Sequence, residues 1–433
     1  MSGERLPDAP GGAAFMLRAL RHRNYRLFFT GQTVSLIGTW MTRIATSWLV
    51  YRLTRSALLL GLVGFAGQIP SFLLAPFAGV LVDRWNRHRL LVITQVLAMI
   101  QSAALAVLAL AGIINIWHIL ALSLFQGVIN AFDMPARQSF VVEMVEKRED
   151  LGNAIALNSS MVNAARLLGP SLGGVLIAAV GEGWCFFADA VSYLAVIASL
   201  LLMRLAKRPH REPGRVPVLP ALREGWAYVA GSAPLRSILL LLALVSLVGM
   251  PYTVLMPVFA SEVLHGGPHT LGFLMGAVGV GALLGAVYLA GRRTVLGLGK
   301  VIPFAAGLFG AGLIGFSLSR VVWLSLIFLL LTGVGFMVNM AASNTLLQTL
   351  VDDSKRGRVM SFYTMAIVGI TPFGSLLAGG LAHRIGTPRT LLFGGIGCIA
   401  GALWFVTLLP RLRERVRPIY IQMGILPDLA AET

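Results

Sequence analysis

The sequence has little charge and almost no cysteine for its length. Of its 433 residues only 12% are charged and 57% are hydrophobic, a balance too apolar for a soluble domain to bury in one core. Its two cysteines, Cys185 and Cys398, have no metal-ligand spacing, which argues against a zinc site or a disulfide framework. The Gly-x-x-x-x-Gly-Lys-Ser/Thr spacing of a phosphate-binding loop is absent, so we expect no use of ATP. We also expect no metal, no cofactor and no enzyme activity.

Long apolar runs are what the sequence has instead. About 20 predominantly apolar residues are needed for a helix to cross a bilayer. Runs of this kind lie near residues 26–51, 57–82, 90–112, 117–140, 154–180, 184–205, 237–264, 270–291, 300–319, 322–350, 358–384 and 389–410. The sequence therefore predicts an all-α polytopic membrane protein with twelve transmembrane helices.

The basic residues are distributed unequally between the connectors. The chain has 35 Lys and Arg against 18 Asp and Glu, and nearly all the basic residues lie in alternate connectors. The other connectors hold only Arg52, Arg55, Arg320, Arg384 and Arg389. Because Lys and Arg are retained on the cytoplasmic side, we predict that both termini are cytoplasmic. The charges form no stripe interleaved with aromatic residues, so nucleic acid is not an expected partner.

One long connector divides the runs six and six. We predict a cytoplasmic segment at 1–25, a six-helix bundle at 26–205, a cytoplasmic loop at 206–236 with an interfacial helix at 221–230, a second bundle at 237–410 and a cytoplasmic tail at 411–433. Four glycines recur at one constant offset: Gly152, Gly169, Gly174 and Gly181 match Gly357, Gly374, Gly379 and Gly386. Such a recurrence supports two parallel repeats.

A motif follows the second run at its predicted cytoplasmic end. Residues 79–89 read Gly-Val-Leu-Val-Asp-Arg-Trp-Asn-Arg-His-Arg. This resembles the signature Gly-x-x-x-Asp-Arg-x-Gly-Arg-basic-basic of the major facilitator superfamily, with Gly79, Asp83, Arg84, Arg87 and Arg89 at matching positions. A small residue lets helices approach closely, and basic residues hold the turn on the cytoplasmic side. A basic loop that obeys topology alone explains the arginines but not the aspartate with its preceding glycine.

The resemblance implies a fold of two pseudo-symmetric six-helix bundles and a gating role for the motif. It implies that Asp83 reaches across the interface to the start of the eleventh span, near Gly357 and Arg358, and forms an inner gate. Asn86 stands where the superfamily has glycine, and asparagine can also enter the left-handed region. The corresponding stretch of the second half, 285–293, lacks the aspartate, so that copy is degenerate.

The fifth run carries a helix-kink motif, Gly169-Pro170-x-x-Gly173-Gly174. It is similar to a motif associated with exporters and antiporters of the superfamily. Proline removes a backbone hydrogen bond and kinks a helix, whereas glycines thin one face so that a neighbour can pack and pivot there. Packing alone is the alternative, since both residues are common in membrane helices. Residues 133–138 and 151–174 further resemble the branch that contains the enterobactin exporter and the macrolide efflux proteins.

Four ionisable residues lie well inside the predicted spans, away from their ends: Arg43, Asp133, Arg166 and Asp189. Such a group costs roughly 2.5–3.5 kcal/mol on insertion scales, so those that remain are usually paired or line a wet cavity. Asp133 has Arg137 four residues later, which predicts an ion pair, with a proton carrier as the alternative. Arg43 and Asp189 have similar predicted depths, which predicts a second pair. Arg166 has no evident acidic partner, and it is either a substrate-facing charge or an arginine that caps carbonyls.

Further side chains on the spans are candidates for lining a central cavity, and each alone can equally be a packing residue. These candidates are Gln32, Trp40, Asn158, Tyr252, Asn339 and Tyr363. None of the seven histidines lies in the middle of a span, which disfavours a histidine proton relay. If the chain is coupled to protons, Asp189 or Asp133 must titrate.

The motifs favour a secondary active transporter that exports amphipathic compounds, drugs or siderophores, across a bacterial inner membrane in exchange for protons. Two alternatives stay open. One is uptake or facilitated transport of a small polar solute, and the other is a non-transporting or lipid-handling protein on the same scaffold. The expected partners are membrane lipid, a small-molecule substrate and protons, and we expect a monomer.

Overall fold

The computed structural model of the protein describes residues 17–204, 218–292, 294–352 and 355–423. Throughout these ranges the regular structure is helical, with no β-strand, which confirms the predicted all-α class. The side chains of Gly79, Asp83 and Arg84 lie outside what is described.

The first half of the chain contains six long helices joined by short turns. Their bounds are α1 Arg23–Thr54, α2 Ala57–Arg84, α3 Arg87–Leu110, α4 Ile116–Met144, α5 Leu151–Val180 and α6 Glu182–Leu201. Several of their starts are capped by side chains, as at α3, where the Asn86 side chain accepts a hydrogen bond from the Arg89 backbone N–H at 3.0 Å. Asn86 has φ −66°, so it serves as a cap and does not use the left-handed region that its place in the motif suggested.

The second half begins with a short helix and continues with six long ones. Their bounds are α7 Val218–Gly231, α8 Ala233–Val263, α9 Pro268–Ala290, α10 Leu298–Leu318, α11 Val322–Leu350, α12 Arg356–Ile385 and α13 Thr387–Gln422. Helix α7 contains the predicted interfacial stretch 221–230. Helix α13 continues well past the predicted end of the last span at residue 410, so the start of the predicted tail is helical.

Eleven helices of the described chain are long and apolar enough to cross a membrane. The predicted first span is not among these eleven. Helix α1 has 32 residues, but four arginines and several hydroxyl residues interrupt its apolar sequence: Arg23, Arg26, Arg43, Arg52, Thr30, Thr33, Ser35, Thr39, Thr42, Thr46, Ser47 and Thr54.

Two of the long helices in the second half are interrupted by π-helical turns. Helix α8 has such turns at Val245–Gly249 and Phe259–Val263, and α12 has one at Met365–Gly369. The first turn is followed by Pro251, which lacks the N–H that would continue the ladder. Such turns add a residue to a helical turn and often accompany functional sites.

A glycine in the same unusual backbone conformation precedes the last helix of each half. Gly181 has φ 91° and Gly386 has φ 86°, a region that favours glycine because a Cβ is strained there. Gly181 joins α5 to α6, and Gly386 joins α12 to α13. Gly181 and Gly386, which are one of the predicted glycine pairs, therefore share the same backbone conformation.

The helices pack in corresponding ways in the two halves and across the boundary between them. Within the first half, α1 packs on α5 and α6, α2 packs on α4, and α3 packs on α6. Within the second half, α9 and α10 pack on α11, and α10 packs on α13. Between the halves, α2 packs on α12 and α5 packs on α9. These two helix pairs form the boundary on which the candidate site depends.

Candidate functional site

The two halves meet through paired glycines near one end of the boundary. A Cβ on Gly174 of α5 would lie 2.7 Å from the Pro268 carbonyl oxygen and 2.8 Å from Gly272 Cα of α9. Real Cβ atoms essentially never approach so closely, so both backbones rely on the absence of side chains. This end carries the C-terminal end of α5 and the start of α9, which the charge distribution predicts to be the outer side.

The other helix pair makes the same kind of contact. A Cβ on Gly379 of α12 would lie 2.8 Å from the Ala57 carbonyl oxygen and 2.9 Å from Gly61 Cα of α2. Gly174 and Gly379 are one of the pairs predicted from the constant offset. The two contacts are therefore equivalent, and each of them crosses the boundary between the halves.

A hydrogen bond joins the two halves at the same end. Tyr51 of α1 donates from its hydroxyl to Glu262 Oε1 of α8 at 2.5 Å, and the guanidinium of Arg55 lies 5.2 Å from the Tyr51 ring centroid. A hydrogen bond to an ionised acceptor is stronger than one between neutral groups. No pattern in the sequence marks this contact, because its partners are 211 residues apart.

The helix-kink motif packs directly against α1. A Cβ on Gly169 would lie 2.9 Å from the Ile37 carbonyl oxygen and would also collide with Trp40, while one on Gly173 would lie 3.1 Å from Met41 Cα. Pro170 and both glycines are buried. The motif thus presents one thin face to α1 and, through Gly174, another to the second half, as the sequence predicted for a helix on which neighbours pack.

Two arginines from different helices share one aromatic ring beside this motif. The Cζ atom of Arg43 lies 4.7 Å from the ring centroid of Trp40 on α1, and the Cζ of Arg166 on α5 lies 5.3 Å from it. The two cations are close enough to repel each other, and Tyr252 of α8 lies near Arg166. Three of the predicted charge and cavity residues therefore meet at Trp40.

The predicted ion pair between Arg43 and Asp189 is not formed. Asp189 is 2% exposed and accepts hydrogen bonds at Oδ2 from Thr42 at 2.9 Å and from Ser102 at 2.5 Å. Equal depth along two helices does not place side chains on facing surfaces, and Arg43 turns toward Trp40 instead. The Oδ1 atom of Asp189 is buried without a hydrogen-bond partner.

The predicted pair between Asp133 and Arg137 is formed. Arg137 binds Asp133 Oδ2 one helical turn away, and Oδ1 accepts from Thr94 at 2.9 Å and from Gln95 at 2.7 Å. With three donors, this carboxylate is held as part of the packing of α4 on α3. Arg87 of the superfamily motif binds a different carboxylate of α4, Glu143, at Oε1 and 2.8 Å.

The predicted inner side carries the remaining residues of the gating motif and the start of α12. The predicted approach of Asp83 to Gly357 lies outside the described side chains. Arg358 donates to Glu224 Oε1 of α7 at 2.6 Å, which ties α7 to α12. Lys355 Nζ lies 4.5 Å from the ring centroid of Tyr228, and burial raises the pKa of the Tyr228 hydroxyl.

The other predicted cavity residues separate into two groups. Asn339 donates to the Ile302 carbonyl at 3.1 Å and Tyr363 donates to the Met340 carbonyl at 3.1 Å, so each joins neighbouring segments of the second half. Gln32 is 2% exposed, and Asn158 is partly exposed with a buried Oδ1 that has no hydrogen-bond partner. Asn339 and Tyr363 are thus bonded within the second half, whereas Trp40 and Tyr252 belong to the cluster at the boundary.

Comparison with known proteins gives consistent relatives over nearly the whole chain. A family model described as "Transmembrane secretion effector" matches residues 15–418. The chain is 27% identical to the staphyloferrin A transporter of Staphylococcus aureus, over 88% of this chain and 96% of that protein. It is 29% identical to the multidrug efflux pump Tap of Mycolicibacterium fortuitum, over 87% and 93%. It is 23% identical to the macrolide efflux protein A of Streptococcus pyogenes, over 88% and 96%.

Solved structures share the fold at low sequence identity. A bacterial homologue of the human lysosomal transporter Spinster, inward-facing and unoccupied, aligns with a TM-score of 0.67 and 15% identity over 93% of this chain and 99% of that chain. A POT family transporter in complex with a thioalcohol-conjugated peptide aligns with a TM-score of 0.72 and 11% identity over 90% and 96%.

The family match and the relatives agree with the motif at 79–89 and with the all-helical membrane fold. They are transporters, among them efflux proteins, rather than enzymes. The chain therefore belongs to the transmembrane secretion effector family of the major facilitator superfamily.

Proposed function

We propose that this protein exports amphipathic small molecules, drugs or siderophores, across a bacterial inner membrane in exchange for protons. The relatives include a staphyloferrin A transporter, a multidrug efflux pump and a macrolide efflux protein, which favours export over nutrient uptake. The helix-kink motif packed between α1 and α9 also supports this proposal, because it resembles the motif of exporters.

The proposed architecture has twelve spans in two six-helix bundles, with α1 as the twelfth span and both termini cytoplasmic. The bundles correspond to residues 26–205 and 237–410, joined by the loop at 206–236 and flanked by 1–25 and 411–433. The shared conformation of Gly181 and Gly386 supports a repeat, as do the equivalent contacts of Gly174 and Gly379.

The observation that carries the proposed mechanism is the position of the contacts between the halves. The paired glycines and the Tyr51–Glu262 bond all lie at the predicted outer end. At the opposite ends of α5 and α12, Gly152 and Gly357 have open space where a Cβ would be. Among the described residues, contacts between the halves at the predicted outer end fit alternating access, in which the halves rock about a central site.

In this cycle Asp189 is the proposed proton carrier and Asp83 is the proposed inner gate. Asp189 is a buried carboxyl group with a free Oδ1 and no basic partner among the described residues, whereas Asp133 is held by Arg137. When the predicted inner side closes, Asp83 would meet the start of α12 near Gly357. The Asp83→Asn variant should then slow transport while substrate binding is retained.

Flux in inside-out proteoliposomes tests the proposal, with the lumen corresponding to the cell exterior. Fusidate, chloramphenicol and ethidium provide an anionic, a neutral and a cationic amphipathic probe. We expect an acidic lumen to drive accumulation of at least one probe, and Asp189→Asn to abolish the effect of the gradient. Entry that ignores the gradient would indicate a facilitator, and no flux of any probe would contradict transport.

A further inference from the structure

We propose that Arg43, Arg166 and Trp40 form a binding site for an anionic group, so that the exported compound carries a carboxylate or similar anion beside an apolar or aromatic body. This inference rests on the proposed export function and names the substrate class of the same pathway. It is carried by the shared position of two arginines on one indole ring.

The two guanidinium groups are unpaired among the described residues. Neither forms a hydrogen bond or an ion pair with any described side chain or carbonyl, and the Nε atom of Arg166 is buried without a hydrogen-bond partner. This excludes the alternative in which Arg166 caps carbonyls of a neighbouring helix. The side chain of Arg43, in contrast, is exposed although it lies within a helix surrounded by others, so the described residues leave part of its surface uncovered.

Several other arginines of the described chain have a carboxylate partner, unlike Arg43 and Arg166. Five described arginines bind a carboxylate, and the pairs are Arg18 with Asp150, Arg52 with Glu182, Arg87 with Glu143, Arg137 with Asp133, and Arg358 with Glu224. An unpaired cation within a membrane span is costly, and a second cation beside it adds repulsion. A bound anion would offset both the cost of the unpaired cation and the repulsion between the two cations. Guanidinium groups match carboxylate geometry with two parallel hydrogen bonds.

The indole and its surroundings give the site an apolar component. Trp40 is held in place because Gly169 leaves no side chain between α5 and the Trp40 Cβ. The indole is flanked by two cations, each at a cation–π distance. Because Trp40 is only partly buried, the rest of its surface can contact an apolar or aromatic part of a ligand. A cationic ligand, in contrast, would be repelled by both arginines.

The site also spans the boundary that moves in the proposed cycle. Arg43 and Arg166 belong to the first half, whereas Tyr252, which lies near Arg166, belongs to the second. Tyr252 is 3% exposed and packs edge-on against Phe309 at a centroid distance of 6.1 Å. An anion held by the arginines would therefore lie next to both halves, which is the position a transported substrate must occupy.

Binding of two matched probes tests the inference. The protein in lipid nanodiscs is titrated calorimetrically with 2-naphthylacetate and with 2-naphthylacetamide, which has nearly the same shape but no charge. We expect the carboxylate to bind at least tenfold more tightly than the amide, and this preference to fall at high salt because the contact is ionic. The preference should also fall at least tenfold in Arg43→Gln and in Arg166→Gln, while amide binding is unchanged.

Arg320→Gln is the matched control, because it removes the same charge from a connector. Arg320 donates to the carbonyls of Ser317 and Ser319, away from Trp40, so both probes should bind this variant as they bind the original protein. Arg166→Lys should restore part of the preference, since it restores the charge without the fork of donors.

A carboxylate that binds no better than the amide overturns the inference, and so does a loss in Arg166→Gln that is equal for both probes. If either arginine variant fails to fold, the original protein still tests the inference. Its preference for the carboxylate over the amide, and the fall of that preference at high salt, are measured without any variant. Failure of the export function is separate: it appears as absent flux in proteoliposomes while the carboxylate preference in binding persists.

Discussion

Adding one methyl group at Gly379 should open the predicted outer side, and adding one at its neighbour Gly380 should not. In Gly379→Ala the new Cβ would lie 2.8 Å from the Ala57 carbonyl oxygen, so α2 and α12 must separate. At Gly380 nothing lies within 4 Å of an added Cβ. Both substitutions raise helix propensity equally, by about 1 kcal/mol, so the pair isolates the effect of the contact.

The size of the effect follows from the cost of overpacking. Inserting a methyl group into a packed contact costs typically about 1–3 kcal/mol. If that cost falls only on the conformation in which the outer side is closed, the ratio of open to closed molecules rises about 5- to 150-fold. A change at the low end would mean that α12 shifts slightly to accommodate the methyl group.

A cysteine reporter measures this ratio. Ser375 is fully buried and faces α2 beside Gly64, so Ser375→Cys should react with an impermeant maleimide only when the outer side opens. The native Cys185 and Cys398 are buried and free, and the protein without the reporter gives the blank. We expect faster labelling for Gly379→Ala and an unchanged rate for Gly380→Ala. Equal rates for the two variants would refute the assignment of this contact as the outer closure.

Three further substitutions probe other contacts. Tyr51→Phe removes the hydrogen bond to Glu262, which at about 1.5–3 kcal/mol for a charged acceptor should accelerate labelling of the same reporter tenfold or more; an unchanged rate would mean the bond does not hold the halves together. Asp189→Asn should remove the pH dependence of flux in proteoliposomes while downhill movement persists, and retained gradient-driven accumulation would exclude Asp189 as the proton carrier. Arg137→Gln leaves Asp133 buried and unpaired, which should destabilise the fold by about 3–5 kcal/mol, seen as a lower unfolding temperature in nanodiscs; an unchanged temperature would show that the hydrogen bonds to Asp133 suffice.

The sequence predicted the interactions that act within one helix or one connector. The ion pair of Asp133 with Arg137 was predictable because residues four apart on a helix lie on one face. The family was predictable from the motifs at 79–89 and 169–174, since each has fixed spacing within a short segment. Helix ends were less accurate, as at α13, because a helix can continue into water after its apolar run ends.

The contacts between distant helices were accessible only in part. The failed pairing of Arg43 with Asp189 shows why: depth along a span follows from counting residues, but the direction of a side chain depends on how each helix is rotated against its neighbours. The hydroxyl groups of Thr42 and Ser102 around Asp189 are ordinary residues in the sequence, and nothing in their spacing marks them as partners.

The sequence by itself determined that the protein spans a membrane, that it is helical, and which family it belongs to. The length of the apolar runs, the alternation of basic connectors and the short motifs are all properties of the chain read in order. The tertiary structure decided which glycines meet across the boundary, that the packed end is the predicted outer one, and that two arginines converge on Trp40. Those features depend on the rotation and crossing of helices far apart in sequence, which are set by packing over the whole molecule.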